Sequence, residues 1–390
     1  MALVLSAASA FAFESRAGRA YLYDLNSRTV LYAKNEDQPF APASLAKIVT
    51  AATVQNMIEN GELSADDTIT ISENAWRTGG APSGRSTMFA ELGSDVPISD
   101  LLKGLVVMAA NDAAIALAEG IEGDERAFAA RMNTVASDLG AENSFFTTAS
   151  GNELALGEAS SASEETMATT VRDMVTLATE LIQDDPDTYA LFQQTEFTWN
   201  GIFQRNKNPL MTAIEGADGL MAGFTEEAGY GIVGSVERNG RRVVFALSGV
   251  DTAEGRLDEA RRLLRYAFDD FRTVQVAEQN EQVAKARVYG GSERSVALVA
   301  EGGTLDILLP REGEERVRAR VVYNHPFPAP IEAGQPIARL IVERDGTIIQ
   351  DTPLVAAQAV EKGSALQRAR DGFFELLVGW LPPISLAGSL

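Results

Sequence analysis

The sequence contains no cysteine and one histidine, His325, in 390 residues. Without cysteine there is no disulfide framework, no thiolate metal site and no cysteine nucleophile, and the redox compartment stays open. A single histidine removes most histidine-rich zinc sites and makes any Ser-His-Asp triad hang on one residue far down the chain. Cations are scarce as well: 33 Lys and Arg stand against 55 Asp and Glu, a formal net charge of −22. That argues against nucleic acid as a partner, because neutralising phosphates needs clustered basic residues. No internal repeat or low-complexity tract is visible.

What remains is a chain that is 45% hydrophobic and long enough to bury two cores. Its beginning, "MALVLSAASAFAFES", is apolar and ends in an A-x-A cleavage pattern at Ala10 and Ala12, but its first basic residue is Arg16. Residues 1–13 therefore read as a signal peptide with a truncated start, with a fold-opening strand as the alternative. Toward the other end, "DGFFELLVGWLPPISLAGSL" puts Phe373, Phe374, Leu377, Trp380 and Leu381 on one helical side, after the basic "QRAR". This run is too short to span a bilayer; it suits an amphipathic helix lying in the interface, or one packed on its own protein. We expect residues 359–390 to be that helix.

Between the ends, residues 14–272 mix strands and helices. A hairpin, "AYLYDLNSRTVLYA", precedes helical patterns near 44–60, 98–108, 111–120, 125–138 and 163–182. Strands follow from 196 to 249, then the amphipathic "GRLDEARRLLRYAFDDF". Residues 273–358 change to short alternating runs such as "ERVRARVVY", a small all-β domain of β-sandwich type. The expected fold class is α+β, with helices clustered on an antiparallel sheet whose strands come from both ends of the first domain.

Two stretches carry chemistry. In "PFAPASLAKIVTA", Ser44 begins a helix and Lys47 lies one turn on, on the same side. Backbone N–H groups at a helix start suit an oxyanion, and a partly desolvated lysine can take a hydroxyl proton. With almost no histidine in the chain, lysine is the natural base. Alone, S-x-x-K is a weak pattern, equally readable as an N-cap beside a snorkelling lysine. The second stretch, "ADGLMAGFTEEAGYG", reads as a strand with Gly223 in its interior, which marks a bulge or a close approach by a ligand or another backbone. Its neighbours Met221 and Ala222 offer neither charge nor hydroxyl.

With "LLKGLVVMAANDAAIALAE" between them, these stretches fall in the order and spacing of the penicillin-binding serine peptidases. The chain resembles the low-molecular-mass D-alanyl-D-alanine carboxypeptidases, whose penicillin-binding/β-lactamase-like domain carries SxxK, SxN and KTG motifs. Flanking matches include "SGRSTMFAELG", "FTWNGIFQRNKNPLM" and "TEEAGYGIVGS". The resemblance implies Ser44 as the acylated nucleophile, Lys47 as its base, and Asn111 orienting the lysine and holding a substrate amide. It implies Gly223 as the close-approach strand position, and the Phe224 N–H paired with the Ser44 N–H as an oxyanion hole. It also implies peptidoglycan stem peptides or β-lactams as partners, no cofactor and no metal. The location implied is the periplasmic face of the inner membrane, with the C-terminal helix on its surface.

Three positions depart from that pattern. Ala109 stands where SxN has its serine, and Met221 and Ala222 stand where KTG has its lysine and threonine. The lost groups would relay a proton and receive the substrate carboxylate. Proton relay is worth about 10²–10³ in rate. A carboxylate's charged partner is worth about 2–5 kcal/mol. We therefore expect a carboxypeptidase of weak or lost turnover. The alternative is a cell-envelope binding or scaffolding protein, natural or engineered, that keeps the groove without hydrolysis.

A β-lactamase has less support, because no glutamate falls in a deacylating motif; Glu164 and Glu165 read as a capped helix start. His325, in "HPFPAP", reads as a turn in the β-domain. Arg85 and Arg205 could line the groove or simply be solvated, and Arg205 is a candidate replacement for the missing cation.

Overall fold

The structure, a computed structural model, describes residues 13–152, 166–311, 317–323, 327–369 and 387–389. Residues 1–12, Glu164, Glu165, His325 and the apolar face at 373–381 lie outside these. The chain forms two compact units: residues 13–25 with 32–265, and residues 26–31 with the chain from 266 onward.

The first unit is built on an antiparallel sheet. Strand β1 (Arg19–Asp24) turns into β2 (Thr29–Lys34), and the later strands β3 (Ala217–Thr225), β4 (Gly229–Arg238) and β5 (Arg241–Val250) form a meander. The order is β2-β1-β5-β4-β3, so the two ends of the unit meet at β1 and β5, with Tyr21 opposite Ala246. Among the described residues strand β3 is paired on one side only, with β4, and is the edge.

Five helices gather with this sheet: α1 (Lys47–Glu59), α2 (Ile98–Met108), α3 (Asn111–Glu122), α4 (Glu125–Asp138) and α5 (Val171–Asp184). Helix α5 packs on β1 and β5, while α1 touches α2, α4 and α5. The first two turns of α1 are buried all round, from Lys47 to Val54. Such a helix has no polar face to offer water, and its small residues let neighbours close in. The buried hydroxyls are satisfied within the protein: Thr50 donates to the Ala149 carbonyl at 2.7 Å and Thr53 to Val49 at 2.8 Å. A further long helix, α6 (Ala253–Asp269), follows β5.

The described residues of the second unit are all β apart from short pieces. Its core joins Val296, Leu298, Ile307, Leu340, Val342 and Leu354. Buried Gln350 ties its loops, donating to the carbonyls of Ser27 at 2.7 Å and Asp306 at 3.0 Å. Strand Phe271–Ala277 pairs with Leu305–Pro310, so regular β structure starts just ahead of the expected change at 273. The segment from 359 is not helical at its start: Val360 is buried and bridges to Ile331, and Lys362 bridges to Gly291. Helix occupies 365–369, and Ala387–Ser389 form a strand against residues Arg318 to Arg320. Burial of Val360 accompanies this extended start of the segment, and the amphipathic face read at 373–381 lies outside the described residues.

Candidate active site

Ser44 sits not in α1 but in a 3₁₀ turn, Ala43–Ala46, that feeds it. The tighter winding matters. Side chains three apart eclipse in a 3₁₀ turn, whereas in an α-helix they are offset. Lys47 Nζ consequently stands 3.0 Å from Ser44 Oγ. Ala43 enters this turn with φ of 51°, the left-handed region that side-chain-bearing residues rarely adopt.

Two glycines let the chain close around that turn. Gly151 has φ of 75°, and a β-carbon there would drive into the Ala43 carbonyl. Gly223 in β3 lies so near that its missing β-carbon would sit 3.1 Å from the Pro42 carbonyl oxygen and 3.3 Å from Leu45 Cγ. The free edge of β3 therefore runs directly beside the serine. An unpaired strand edge is a template onto which an extended peptide can add.

Lys47 is fully buried. Its ammonium donates to the Ser150 carbonyl oxygen at 2.6 Å as well as reaching Ser44. Burial, the largest influence, pushes its pKa from 10.5 down to about 7; the carboxylates of Glu125 and Asp112 oppose this, and the charges of Arg85 and Lys207 assist it. Near neutrality a large share of the amine is free to accept a proton. Glu125 is itself tied down, accepting from the Ala149 N–H at 3.1 Å. Buried Asp112 accepts from Thr87 Oγ1 at 2.5 Å and from the N–H groups of Met88, Ala90 and Ala113.

Asn111 opens α3 and donates its N–H to the Ser86 carbonyl at 2.8 Å. Its side-chain oxygen is buried without a hydrogen-bond partner. Among the described residues the Lys47 amine is hydrogen-bonded to Ser150 and Ser44, and no hydrogen bond joins it to the Asn111 side-chain oxygen. Ala109 ends α2 in the left-handed conformation, φ 50°, and is buried. Met221 is buried, 2% exposed, whereas Ala222 is half-buried and Phe224 is 49% exposed. The Phe224 ring packs at a tilt of 33° against Tyr230 with centroids 4.3 Å apart. Arg256 of α6 donates to the carbonyls of Gly223 and Gly231, both at 3.3 Å, and lies over the Tyr230 ring.

Sequence reasoning missed Ser150, Gly151, Glu125, Asp112 and Arg256. Each comes from a segment remote from the S-x-x-K run, and the one local signal that could have found any of them is the glycine of "ASGN". Among the cations, Arg205 is exposed and faces Glu196 in its hairpin register. The cationic charges that reach Lys47 are those of Arg85 and, more weakly, Lys207, two residues on from Arg205.

Residues 6–252 match the family model described as D-alanyl-D-alanine carboxypeptidase. The chain belongs to that family. Residues 271–362 of this D-alanyl-D-alanine carboxypeptidase family member match a second model, the penicillin-binding protein 5 C-terminal domain. It is 33% identical over 364 residues to the D-alanyl-D-alanine carboxypeptidase DacD of Escherichia coli (strain K12), covering 92% of this chain and 91% of the relative. Penicillin binding protein 5 from Haemophilus influenzae superposes with a TM-score of 0.73 at 31% identity, over 90% of this chain and 99% of that one. Penicillin-binding protein D2 from Listeria monocytogenes, solved in an ampicillin-bound form, gives 0.56 at 28% identity over 66% of this chain and 99% of its own. The two family models together give a peptidase domain followed by a C-terminal domain, in the order seen here.

Proposed function

We propose that this carboxypeptidase-family protein reacts through Ser44, which is acylated by D-alanyl-D-alanine stem peptides of peptidoglycan and by β-lactams. The observation that carries this is the 3.0 Å contact between Ser44 Oγ and a buried Lys47 amine whose pKa is about 7. The neutral amine takes the Ser44 proton as the hydroxyl attacks the carbonyl carbon. The peptide lies along the free edge of β3, its carbonyl oxygen received by the N–H groups of Ser44 and Phe224, and its amide by the Asn111 side chain. Gly223 supplies the close approach. Without the motif serine at Ala109, or the lysine and threonine at Met221 and Ala222, turnover is slow relative to a member that keeps them. No metal or organic cofactor enters this chemistry.

In the same reading residues 14–272 are the peptidase domain and 273–358 the β-domain. The protein is exported by a leader within 1–13, and works at the periplasmic face of the cytoplasmic membrane. Support for attachment is the one-sided run of Phe373, Phe374, Leu377, Trp380 and Leu381 after basic residues. Retention of the full chain in the membrane fraction, and its release on truncation after residue 363, checks that part.

Intact-mass measurement after incubation with benzylpenicillin tests the acylation. Wild type should gain the mass of one penicilloyl group and Ser44→Ala none. Equal masses for both, with no adduct, would remove the reading.

A further inference from the structure

The second motif has lost its serine, yet a different hydroxyl–amine pair brackets the position. Lys207 donates its backbone N–H to the Val107 carbonyl at 2.9 Å, two residues before Ala109. Ser86 accepts the Asn111 N–H at 2.8 Å on its own carbonyl, two residues after Ala109. Between these anchors the side chains meet, with Lys207 Nζ 3.1 Å from Ser86 Oγ. The pair is therefore held by backbone on both flanks of the residue whose hydroxyl is missing.

We propose that Ser86 and Lys207 form a substitute proton relay, delivering to the leaving nitrogen the proton that a serine at position 109 would have delivered. The proposal rests on the acyl-enzyme reading above. In the acylation step the Ser44 proton passes to Lys47 as the bond from Ser44 Oγ to the carbonyl carbon forms. The carbonyl carbon–nitrogen bond breaks, the departing nitrogen takes the Ser86 hydroxyl proton, and Ser86 is reprotonated by the Lys207 ammonium. Lys47 ends as ammonium and Lys207 as amine, which regains its proton from water at its exposed end. Charge and atoms balance without a co-reactant. Ser86 would be a catalytic residue, and Lys207 a positioning and proton-supplying one acting through it.

Two observations suit Lys207 to this work. Partial burial lowers its pKa, which makes the ammonium a better acid. Its charge also acts on Lys47, so it stands within electrostatic reach of the first dyad. An arginine could hold a carboxylate there equally well or better, but could not give up a proton. That difference separates a relay from a simple anion grip.

The test compares an amide with a thioester of the same N-acyl-D-alanyl group on the full-length protein, because a thiolate departs without protonation. Ser86→Ala and Lys207→Arg should each lower kcat for the D-alanyl-D-alanine amide about 10²-fold. Thioester acylation of Ser44 should change less than about 3-fold, which also shows that the variants fold. KM should be nearly constant. Three results overturn the relay while leaving the acyl-enzyme reading intact. One is an unchanged amide-to-thioester ratio in Ser86→Ala. Another is full amide activity in Lys207→Arg, which would make Lys207 an anion anchor. The third is a wild type that takes thioester but no amide. Failure of thioester and penicillin alike to label wild-type Ser44 would bring down the acyl-enzyme reading, and the relay with it.

Discussion

Lys47 Nζ lies closer to the Ser150 carbonyl oxygen, 2.6 Å, than to the Ser44 hydroxyl oxygen, 3.0 Å. One N–H is committed to a carbonyl from another part of the chain, which fixes the direction of the amine. The lone pair of the neutral form is then available to Ser44. A carbonyl can accept but cannot neutralise, so the site orients the lysine without supplying the full countercharge that would keep it protonated.

Acylation should follow the ionisation of this amine. The base works when neutral, so the rate of labelling by a fluorescent penicillin should rise with pH, with a midpoint near 7, and level off above it. Lys47→Arg, which stays protonated, should lose about 10²–10⁴ in rate at every pH. A midpoint near the ordinary lysine value would contradict the assignment.

The same shift has a cost in stability. The folded lysine titrates near 7 and the unfolded one near 10.5, so between these values the unfolded chain binds more protons and stability rises with pH. Lys47→Met should therefore raise stability at pH 7, by at most about 5 kcal/mol. The gain should shrink toward zero as pH approaches 10.5. Urea unfolding of both proteins at pH 7 and 9.5 checks the sign, and a constant difference would refute it.

Gly151→Ala should damage the nucleophile turn. Its φ of 75° is unfavourable for alanine, and the new β-carbon meets the Ala43 carbonyl, which is backbone and cannot swing away. We expect a loss of about 2 kcal/mol or more in unfolding free energy, together with slower labelling. A variant with wild-type stability and labelling would mean that this packing is looser than the structure shows.

Restoring the motif residues should raise turnover at some expense in stability. Ala109→Ser, Met221→Lys and Ala222→Thr together should increase release of D-alanine from a D-alanyl-D-alanine peptide by about 10²-fold or more, chiefly through a restored grip on the substrate carboxylate. Met221 is 2% exposed, so an ammonium there is desolvated and the melting temperature should fall. If the native chain already matches the restored one in turnover, the three substitutions are not what limits it.

The succession of elements was largely legible, because period and punctuation are local. Helices at 98–108 and 125–138 match the observed α2 and α4, and the glycine-bearing strand is β3. The helix at Ser44 was placed one turn too early. Local pattern does not distinguish a 3₁₀ turn from the start of an α-helix, and the turn is enforced by packing against Gly151 and Gly223. The C-terminal segment starts extended, with Val360 buried and bridged to Ile331.

From sequence alone came Ser44 and Lys47 as a candidate pair, the lack of cysteine and of all but one histidine, and the three positions where polar groups are missing. These are matters of residue identity and short spacing, and they survive without coordinates. Tertiary structure alone decided how basic Lys47 is, that its amine is bonded to Ser150, and that Arg85 and Lys207, not Arg205, are the cations acting on it. Desolvation and electrostatic reach depend on distances through space, and residues 47, 125, 150 and 207 share no local pattern that could announce their meeting.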